Sequence, residues 1–144
     1  MATWRQRRKA QRRLSDKHTV ALWYHPQYKV DVLVETARVP GVEVARGEKI
    51  LGSLGVEGLV RPKEVRPAPL IALADLAKVH SENYLDQTAR PEYLGRIFGL
   101  EAHFIDVDPI LNAQRRQVGG TAEAARWAIG ALDRVAFNVG GGFH

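Results

Sequence analysis

The sequence predicts an α/β domain built around a parallel sheet, and three observations support this prediction. Two continuous apolar runs, "TVALWY" at Thr19–Tyr24 and "RVAFNV" at Arg134–Val139, are typical of strands covered on both faces, as in a parallel sheet. The residues between them mostly show the three- and four-residue apolar spacing of helices. Strands that alternate with helices along one chain indicate the α/β class.

The segment between the two runs predicts one more strand and three short helices. A strand is expected at "EVRP", which ends at Pro67. A helix is expected in "ARGEKILGSLG", where Ile50 and Leu54 share a face and Gly55 provides a C-terminal cap. "LIALADLAKVH" predicts a short amphipathic helix, and "SENYLDQTA" predicts a further helix with Ser81 as its N-cap.

The longest predicted element is a helix from about Asn112 to Leu132, with apolar residues spaced by three or four. Gly119 and Gly120 lie inside it. A glycine in a helix interior costs about 1 kcal/mol relative to alanine. We therefore expect another element to approach the helix closely at these two residues.

Length and composition predict one soluble domain. The chain has 144 residues, of which 45% are hydrophobic and none is cysteine, so disulfides and thiolate metal sites are excluded. No apolar run approaches the roughly 18 residues that span a bilayer, which favours a cytoplasmic location. So few strands make a poor closed sheet, and residues 19–144 are therefore expected to be the N-terminal portion of a larger α/β domain.

The positive charge is concentrated in a basic arm, residues 1–18. Residues 1–17 contain seven Lys or Arg and one acidic residue, which accounts for the whole formal net charge of +5. Three interpretations remain open: a solvated arm, a contact with nucleic-acid phosphates or an anionic membrane, or an organelle-targeting segment. The remainder of the chain is nearly neutral, which makes nucleic-acid binding by the domain itself a weak hypothesis.

The motif "NVGGGFH" follows the last predicted strand and ends at His144. Glycines after a strand let the backbone turn sharply and approach a ligand. The residues alone fit a flexible loop equally well, since no helix follows as a dinucleotide-binding motif would require. A lone histidine is not a metal site, because zinc takes three or four ligands.

Two other groups are candidates for binding. Asp106 and Asp108 both precede Pro109. Two carboxylates with this spacing form either an Asx-type turn or an anchor for substrate amide groups. Arg46 begins a predicted helix, where a cation opposes the helix dipole; it serves either an anion-binding role or an exposed ion pair. A structural role and a functional role fit His25 equally well, whereas His80 fits a structural role between helices.

Four segments in order resemble the N-terminal half of zinc-dependent histone deacetylases and their acetylpolyamine-hydrolysing relatives. They are "LWYHPQY", "RGEKILGSLGVEGL", "ADLAKVHSENYLD" and "GGTAEAARWAIGALDRVAFNVGGGFH". The strongest motif is "NVGGGFH", which is similar to the stretch that leads into the tandem histidines of that family. The resemblance implies a three-layer arginase/deacetylase fold, a parallel sheet between helices, in which zinc and a bound water hydrolyse an acetyl amide.

The resemblance also implies roles for individual residues. His144 matches the first of the tandem histidines, which acts in acid–base catalysis. Gly141, Gly142 and Phe143 match positions beside the acyl pocket. The other matches are Asp106 or Asp108 for the aspartate that grips substrate, and Arg46 and Tyr24 for an internal acetate channel. The zinc ligands of the family are expected outside this sequence.

The sequence therefore predicts part of a zinc-dependent amidohydrolase that removes acetyl groups from acetyl-lysine or a related acetylamine. This chain alone is expected to be inactive. The remaining catalytic residues would come from its partner, which would be the C-terminal portion of the same domain or a partner chain. Two alternatives stay open: a non-catalytic deacetylase-like binding module, and a nucleic-acid-associated protein that uses the basic arm.

Overall fold

Three parallel strands form the sheet. A computed structural model describes residues 19–30 and 45–140, and within them β1 is Thr19–Tyr24, β2 is Val65–Pro67 and β3 is Arg134–Asn138. The strand order is β2-β1-β3, and β1 pairs in parallel with both neighbours. The α/β class and the three predicted strands are confirmed.

Helices connect the strands in the described part of the chain. Residues 45–140 form five α-helices, which are α1 (Arg46–Val56), α2 (Leu73–Leu76), α3 (Glu82–Thr88), α4 (Pro91–Phe98) and α5 (Val107–Ala128). Short 3-10 helices lie at Pro26–Tyr28, Pro62–Glu64 and Ala102–Phe104. The helix expected in "LIALADLAKVH" is reduced to the single turn of α2.

Local capping explains where α3 and α4 begin and end. The Ser81 hydroxyl accepts a hydrogen bond from the Tyr84 backbone N–H at 3.2 Å, as the sequence predicts. Helix α4 was not predicted, although it has a clear signature: Pro91 at its first turn and Gly99 in the left-handed conformation, with φ of 68°, at its end.

Helix α5 begins and ends earlier than predicted. Its N-terminal extension to Val107 places Ile110 and Ala113, both 0% exposed, on its buried face. Its last turn is capped by the Arg134 guanidinium, which donates to the Trp127 carbonyl oxygen at 3.3 Å. Leu132 therefore lies beyond the helix and is fully exposed.

The core forms two clusters along α5. Its C-terminal half packs on one face of the sheet, through the residues Ala21, Trp23, Ala124, Trp127 and Ala136. Its N-terminal half packs on α4 and on the segment after β1, through the residues Val30, Leu94, Ile105, Ile110 and Ala113. Helix α5 thus joins the sheet to the α4 region.

The prediction that β3 is buried on both faces is wrong for the described part of the chain. Val135 and Phe137 are 37% and 52% exposed, and Val20 beside them on β1 is 49% exposed. These side chains lie on the sheet face opposite α5, whereas Ala136 faces α5. β3 is also an edge strand of the described sheet, so it lacks a neighbour on its outer side.

No helix among residues 19–30 and 45–140 combines the length and the apolar character needed to cross a membrane.

Candidate functional site

All three strands end at one side of the sheet, here called the carboxyl edge and formed by Tyr24, Pro67 and Asn138. Backbone hydrogen bonds continue one residue past the strands: Ala68 N–H donates to Tyr24 O at 3.1 Å, and Val139 N–H donates to Trp23 O at 2.8 Å. In open parallel sheets this edge is where ligands bind. The carboxyl edge is therefore the candidate ligand site.

Two tyrosines, Tyr24 and Tyr28, lie side by side at the carboxyl edge. Their ring centroids are 5.4 Å apart, in an edge-to-face arrangement. The 3-10 turn that follows β1 brings them together, because the His25 Nδ1 atom accepts from the Gln27 N–H at 3.1 Å and caps that turn. This contact favours the structural role for His25, whose pKa is lowered by burial and secondarily by Arg116.

Three glycines leave room for the two tyrosine rings. A Cβ on Gly47 would lie 2.7 Å from Tyr24 Cε2, and one on Gly140 would lie 2.7 Å from Tyr28 Cδ2. A Cβ on Gly120 would lie 2.4 Å from the Tyr28 hydroxyl. The close approach predicted at Gly119 and Gly120 is confirmed. The edge is thus assembled from α1, α5 and the end of β3 packed around one aromatic pair.

A polar network joins the tyrosine pair to β3 and α5. The Tyr28 hydroxyl donates to Asn138 Oδ1 at 2.7 Å. Asn138 Nδ2 in turn donates to the Gln117 carbonyl oxygen at 2.8 Å and to Thr121 Oγ1 at 3.0 Å. Every polar atom of the Asn138 side chain therefore has a partner.

Burial changes the acidity of both tyrosines. It raises the pKa of Tyr28 to about 12. It also raises the pKa of Tyr24 to about 12, with a further contribution from the Glu48 carboxylate, which is hydrogen-bonded to the Tyr24 hydroxyl. Both phenols are neutral at physiological pH, and they act there as hydrogen-bond donors.

The raised pKa of Tyr28 predicts a loss of stability in alkali. A phenol whose pKa is higher in the folded state than in the unfolded state contributes stability that is complete below pH about 10. This contribution is lost as the pH rises towards about 12. In an ultraviolet titration, the tyrosinate step near pH 12 is expected to be smaller in the Tyr28→Phe variant than in the wild type, because only Tyr24 still titrates there. Loss of a step near pH 10 instead would contradict this assignment.

An apolar cavity of about 520 Å³ opens next to Tyr24. It lies between α1 and β2 and is lined by Tyr24, Pro26, Leu51, Gly52, Gly55, Val60, Pro62, Val65 and Pro67. Tyr24 thus contacts the cavity on one side and, through its ring, Tyr28 on the other.

The structure brings two of the predicted site residues to the carboxyl edge. Tyr24 forms part of it, and Arg46 is the exposed first residue of α1, next to Gly47, which packs on the Tyr24 ring. A Cβ on Gly47 would also lie 3.2 Å from the Val139 carbonyl oxygen, so α1 begins where β3 ends. Arg46 and the start of the "NVGGGFH" motif are therefore neighbours in the fold.

Asp106 and Asp108 lie farther away. Asp106 immediately precedes α5 and makes no side-chain capping bond to it, and Asp108 is in its first turn; both are exposed. The Tyr28 hydroxyl lies 3.3 Å from the Arg116 carbonyl oxygen, so at about 1.5 Å per residue Asp106 and Asp108 are about 15 and 12 Å along α5 from the residue that contacts Tyr28. Helix α5 projects past the carboxyl edge, so the two carboxylates are on that side of the sheet but outside the tyrosine cluster.

The predicted residues Gly141, Gly142, Phe143 and His144 lie outside the described residues, as does the basic arm. Within residues 19–30 and 45–140, no three His, Asp or Glu side chains come together as a metal site requires. The described residues therefore do not fit a zinc site.

Sequence reasoning did not identify Tyr28 and Asn138 as site residues. A polar residue inside the apolar run of β3 was the available signal for Asn138. The adjacent glycines in α5 indicated a close approach but did not name the residue that approaches. His80 fits the structural role predicted for it: it is exposed and stacks on Tyr84 with centroids 4.9 Å apart.

Comparison with known proteins supports a distant relationship to the histone deacetylase family. Histone deacetylase 2 of Arabidopsis thaliana is 34% identical to this chain over 104 residues, which is 65% of this chain and 23% of that protein. The chain thus matches about a quarter of the length of that relative. No protein-family model matches the sequence. No solved structure matches it either.

Proposed function

We propose that this chain forms part of a zinc-dependent deacetylase of the three-layer arginase/deacetylase type, which hydrolyses N-acetyl-lysine or a related acetylamine. The observation that supports it most strongly is the convergence of three resembling segments at the carboxyl edge. Gly47 from "RGEKILGSLG" lies against the ring of Tyr24 from "LWYHPQY" and the carbonyl oxygen of Val139 from "NVGGGFH". Their contact places the start of the Gly-rich motif where parallel sheets bind ligands.

In this proposal the carboxyl edge holds the acyl end of the substrate. His144 acts as a general acid–base, and Gly141, Gly142 and Phe143 form the floor of the acyl pocket. Asp106 or Asp108, on the projecting end of α5, contacts substrate away from the reacting carbonyl. The zinc would be held by residues other than the described ones.

In the same proposal, Tyr24 and Arg46 contribute to an internal channel through which acetate leaves. The apolar cavity beside Tyr24 provides a space of about 520 Å³ behind the edge. Arg46 supplies a cation at the start of α1, where the adjacent Gly47 contacts the Tyr24 ring. Arg46 is outside the lining of the cavity but begins the helix whose residues Leu51, Gly52 and Gly55 line it, and a guanidinium pairs readily with a carboxylate product.

Completion of the sheet is also part of the proposal. The open side of β3 and the exposed face formed by Val20, Val135 and Phe137 suit further strands and helices of a larger domain. These elements would come from other residues of the same domain or from a partner chain.

The test is metal-dependent acetate release by the full-length protein from an acetyl-lysine peptide and an acetylated polyamine. We expect turnover that is lost on chelation and restored by zinc. His144→Ala is expected to lower kcat by about 10²–10⁴-fold, which is typical of a lost general acid–base group. His103→Ala is the matched control, because His103 is 63% exposed, lies 3.3 Å from Glu101 and has no assigned role in the reaction.

Two results would contradict the proposal. Turnover that persists after chelation and in His144→Ala would show that neither zinc nor His144 takes part in the reaction. Binding of acetyl-lysine peptide without any turnover would instead identify a non-catalytic binding module.

A further inference from the structure

We propose that Tyr28 and Asn138 are positioning residues for the segment that follows β3. Their hydrogen bond, 2.7 Å long, holds the backbone of Val139 and Gly140 in place. Residues 141–144 continue from that point. The catalytic consequence rests on the proposed function, whereas the positioning itself does not.

Tyr28 holds the end of β3 from two directions. Its hydroxyl donates to the Asn138 side chain, and its ring packs on Gly140, where a Cβ would lie 2.7 Å from Cδ2. Gly140 has φ of 114°, a conformation that L side chains rarely adopt. The chain therefore turns out of the strand directly against the Tyr28 ring, which is part of a side chain only 6% exposed.

Asn138 has a single orientation in this environment. Its Nδ2 group donates to the Gln117 carbonyl oxygen and to Thr121 Oγ1, and its Oδ1 accepts from Tyr28. A reversed amide would place Oδ1 against the Gln117 carbonyl oxygen, so two acceptors would face each other. The network thus specifies both the identity and the orientation of this side chain.

Contacts on one face of the sheet hold the end of β3. In the described sheet β3 pairs with β1, and the hydrogen bond from Val139 N–H to Trp23 O is the last one of that ladder. Beside it, the Asn138 side chain bonds the strand end to Tyr28 and α5, and this contact does not depend on a strand along the other side of β3. Loss of the Tyr28 hydroxyl should therefore loosen the strand end without unfolding the sheet.

Amide hydrogen exchange of the full-length protein tests the positioning. In Tyr28→Phe, which keeps the ring on Gly140, exchange at Val139 and Gly140 is expected to rise about five- to tenfold, as for one lost side-chain hydrogen bond. Exchange at Leu22 in β1 should stay unchanged. Thr121→Val, at an exposed position, should give a smaller rise at the same two residues, and Tyr93→Phe should give none.

Unchanged exchange at Val139 and Gly140 in both Tyr28→Phe and Thr121→Val would overturn the proposal. So would an equal rise throughout β1 and α5, because the hydrogen bond would then serve overall stability and not position.

Kinetics of the same variants test the catalytic consequence. Tyr28→Phe is expected to lower kcat about five- to tenfold with KM unchanged, and to change the pH profile of kcat, since a displaced His144 would change its proton transfer. A rise in KM alone would contradict a positioning role in catalysis. If the wild type releases no acetate, the proposed function fails, while the exchange experiment still decides whether Tyr28 and Asn138 position the strand end.

Discussion

Replacement of Gly119 by alanine is expected to destabilise the protein by about 3 kcal/mol, the upper end of the usual range for overpacking. The new Cβ would lie 2.1 Å from Pro69 O, 3.0 Å from Pro69 C and 3.1 Å from Ile71 N. All three are backbone atoms, so no side-chain rotation can relieve the overlap. Only a displacement of the whole segment would accommodate the methyl group.

That segment is held in place by Arg115. Its guanidinium donates to the Ile71 carbonyl oxygen at 3.1 and 2.8 Å, and Ile71 N–H donates to the Arg115 carbonyl oxygen at 3.3 Å. A displacement large enough to admit a Cβ would break these bonds. The free energy of unfolding in urea measures the effect.

Gly52→Ala is the matched control for Gly119→Ala. Gly52 also lies inside a helix, α1, but a Cβ there meets no atom within 4 Å. Alanine should therefore stabilise the protein at this position by about 0.5–1 kcal/mol, through helix propensity alone. If the two variants had similar stability, the close packing of α5 on the Pro69–Ile71 segment would be disproved.

Ile110→Ala is expected to have an effect of similar size, a loss of about 2–5 kcal/mol. Ile110 is 0% exposed and lies at the centre of the cluster that joins α5 to α4. Truncation would remove buried apolar surface and leave a cavity in this cluster. Since Ile110 lies just after Asp106 and Asp108, the start of α5 should also become more mobile.

Ile129→Ala provides the comparison within the same part of the chain. Ile129 follows the last residue of α5 and is 85% exposed, so its truncation should change the free energy of unfolding by less than about 0.5 kcal/mol. Thermal unfolding of both variants, followed by circular dichroism, separates the two cases. A small effect of Ile110→Ala would show that the cluster does not contribute to the stability of the fold.

Local sequence patterns were sufficient for most elements. The apolar run of β1, the Ser81 cap of α3 and the pattern of α1 all predicted what the structure shows. These features depend on backbone conformation and on neighbours a few residues away, which a sequence displays directly. Helix α4 has the same kind of local signal in Pro91 and Gly99.

The burial of β3 required information that a local pattern does not contain. An apolar run predicts a strand, but its coverage depends on which elements pack on each face. In the described part, α5 covers the face with Ala136, while Val135 and Phe137 on the opposite face are exposed. The polar residues of the strand, Arg134 and Asn138, share the face of Ala136, so alternation in the sequence does not mark Val135 and Phe137 as the exposed residues.

For the candidate site, too, the sequence identified some residues but did not contain the distances between them. Tyr24 and Arg46 were named from the sequence through resemblance, and the structure places both beside the end of β3. Asp106 and Asp108 were named on the same basis, yet they lie about 15 and 12 Å along α5 from Arg116, whose carbonyl oxygen contacts the Tyr28 hydroxyl. The position of a residue within a sequence motif does not determine its distance from other residues in the folded protein.

The sequence by itself determined the α/β class, the parallel strands and the close approach at Gly119 and Gly120, because periodicity and glycine content express local backbone requirements. Only the tertiary structure decided which side chains meet there. Tyr28 and Asn138 are 110 residues apart in the chain, yet their side chains are 2.7 Å apart. That contact depends on strand order and on the packing of α5, which no local stretch of sequence encodes.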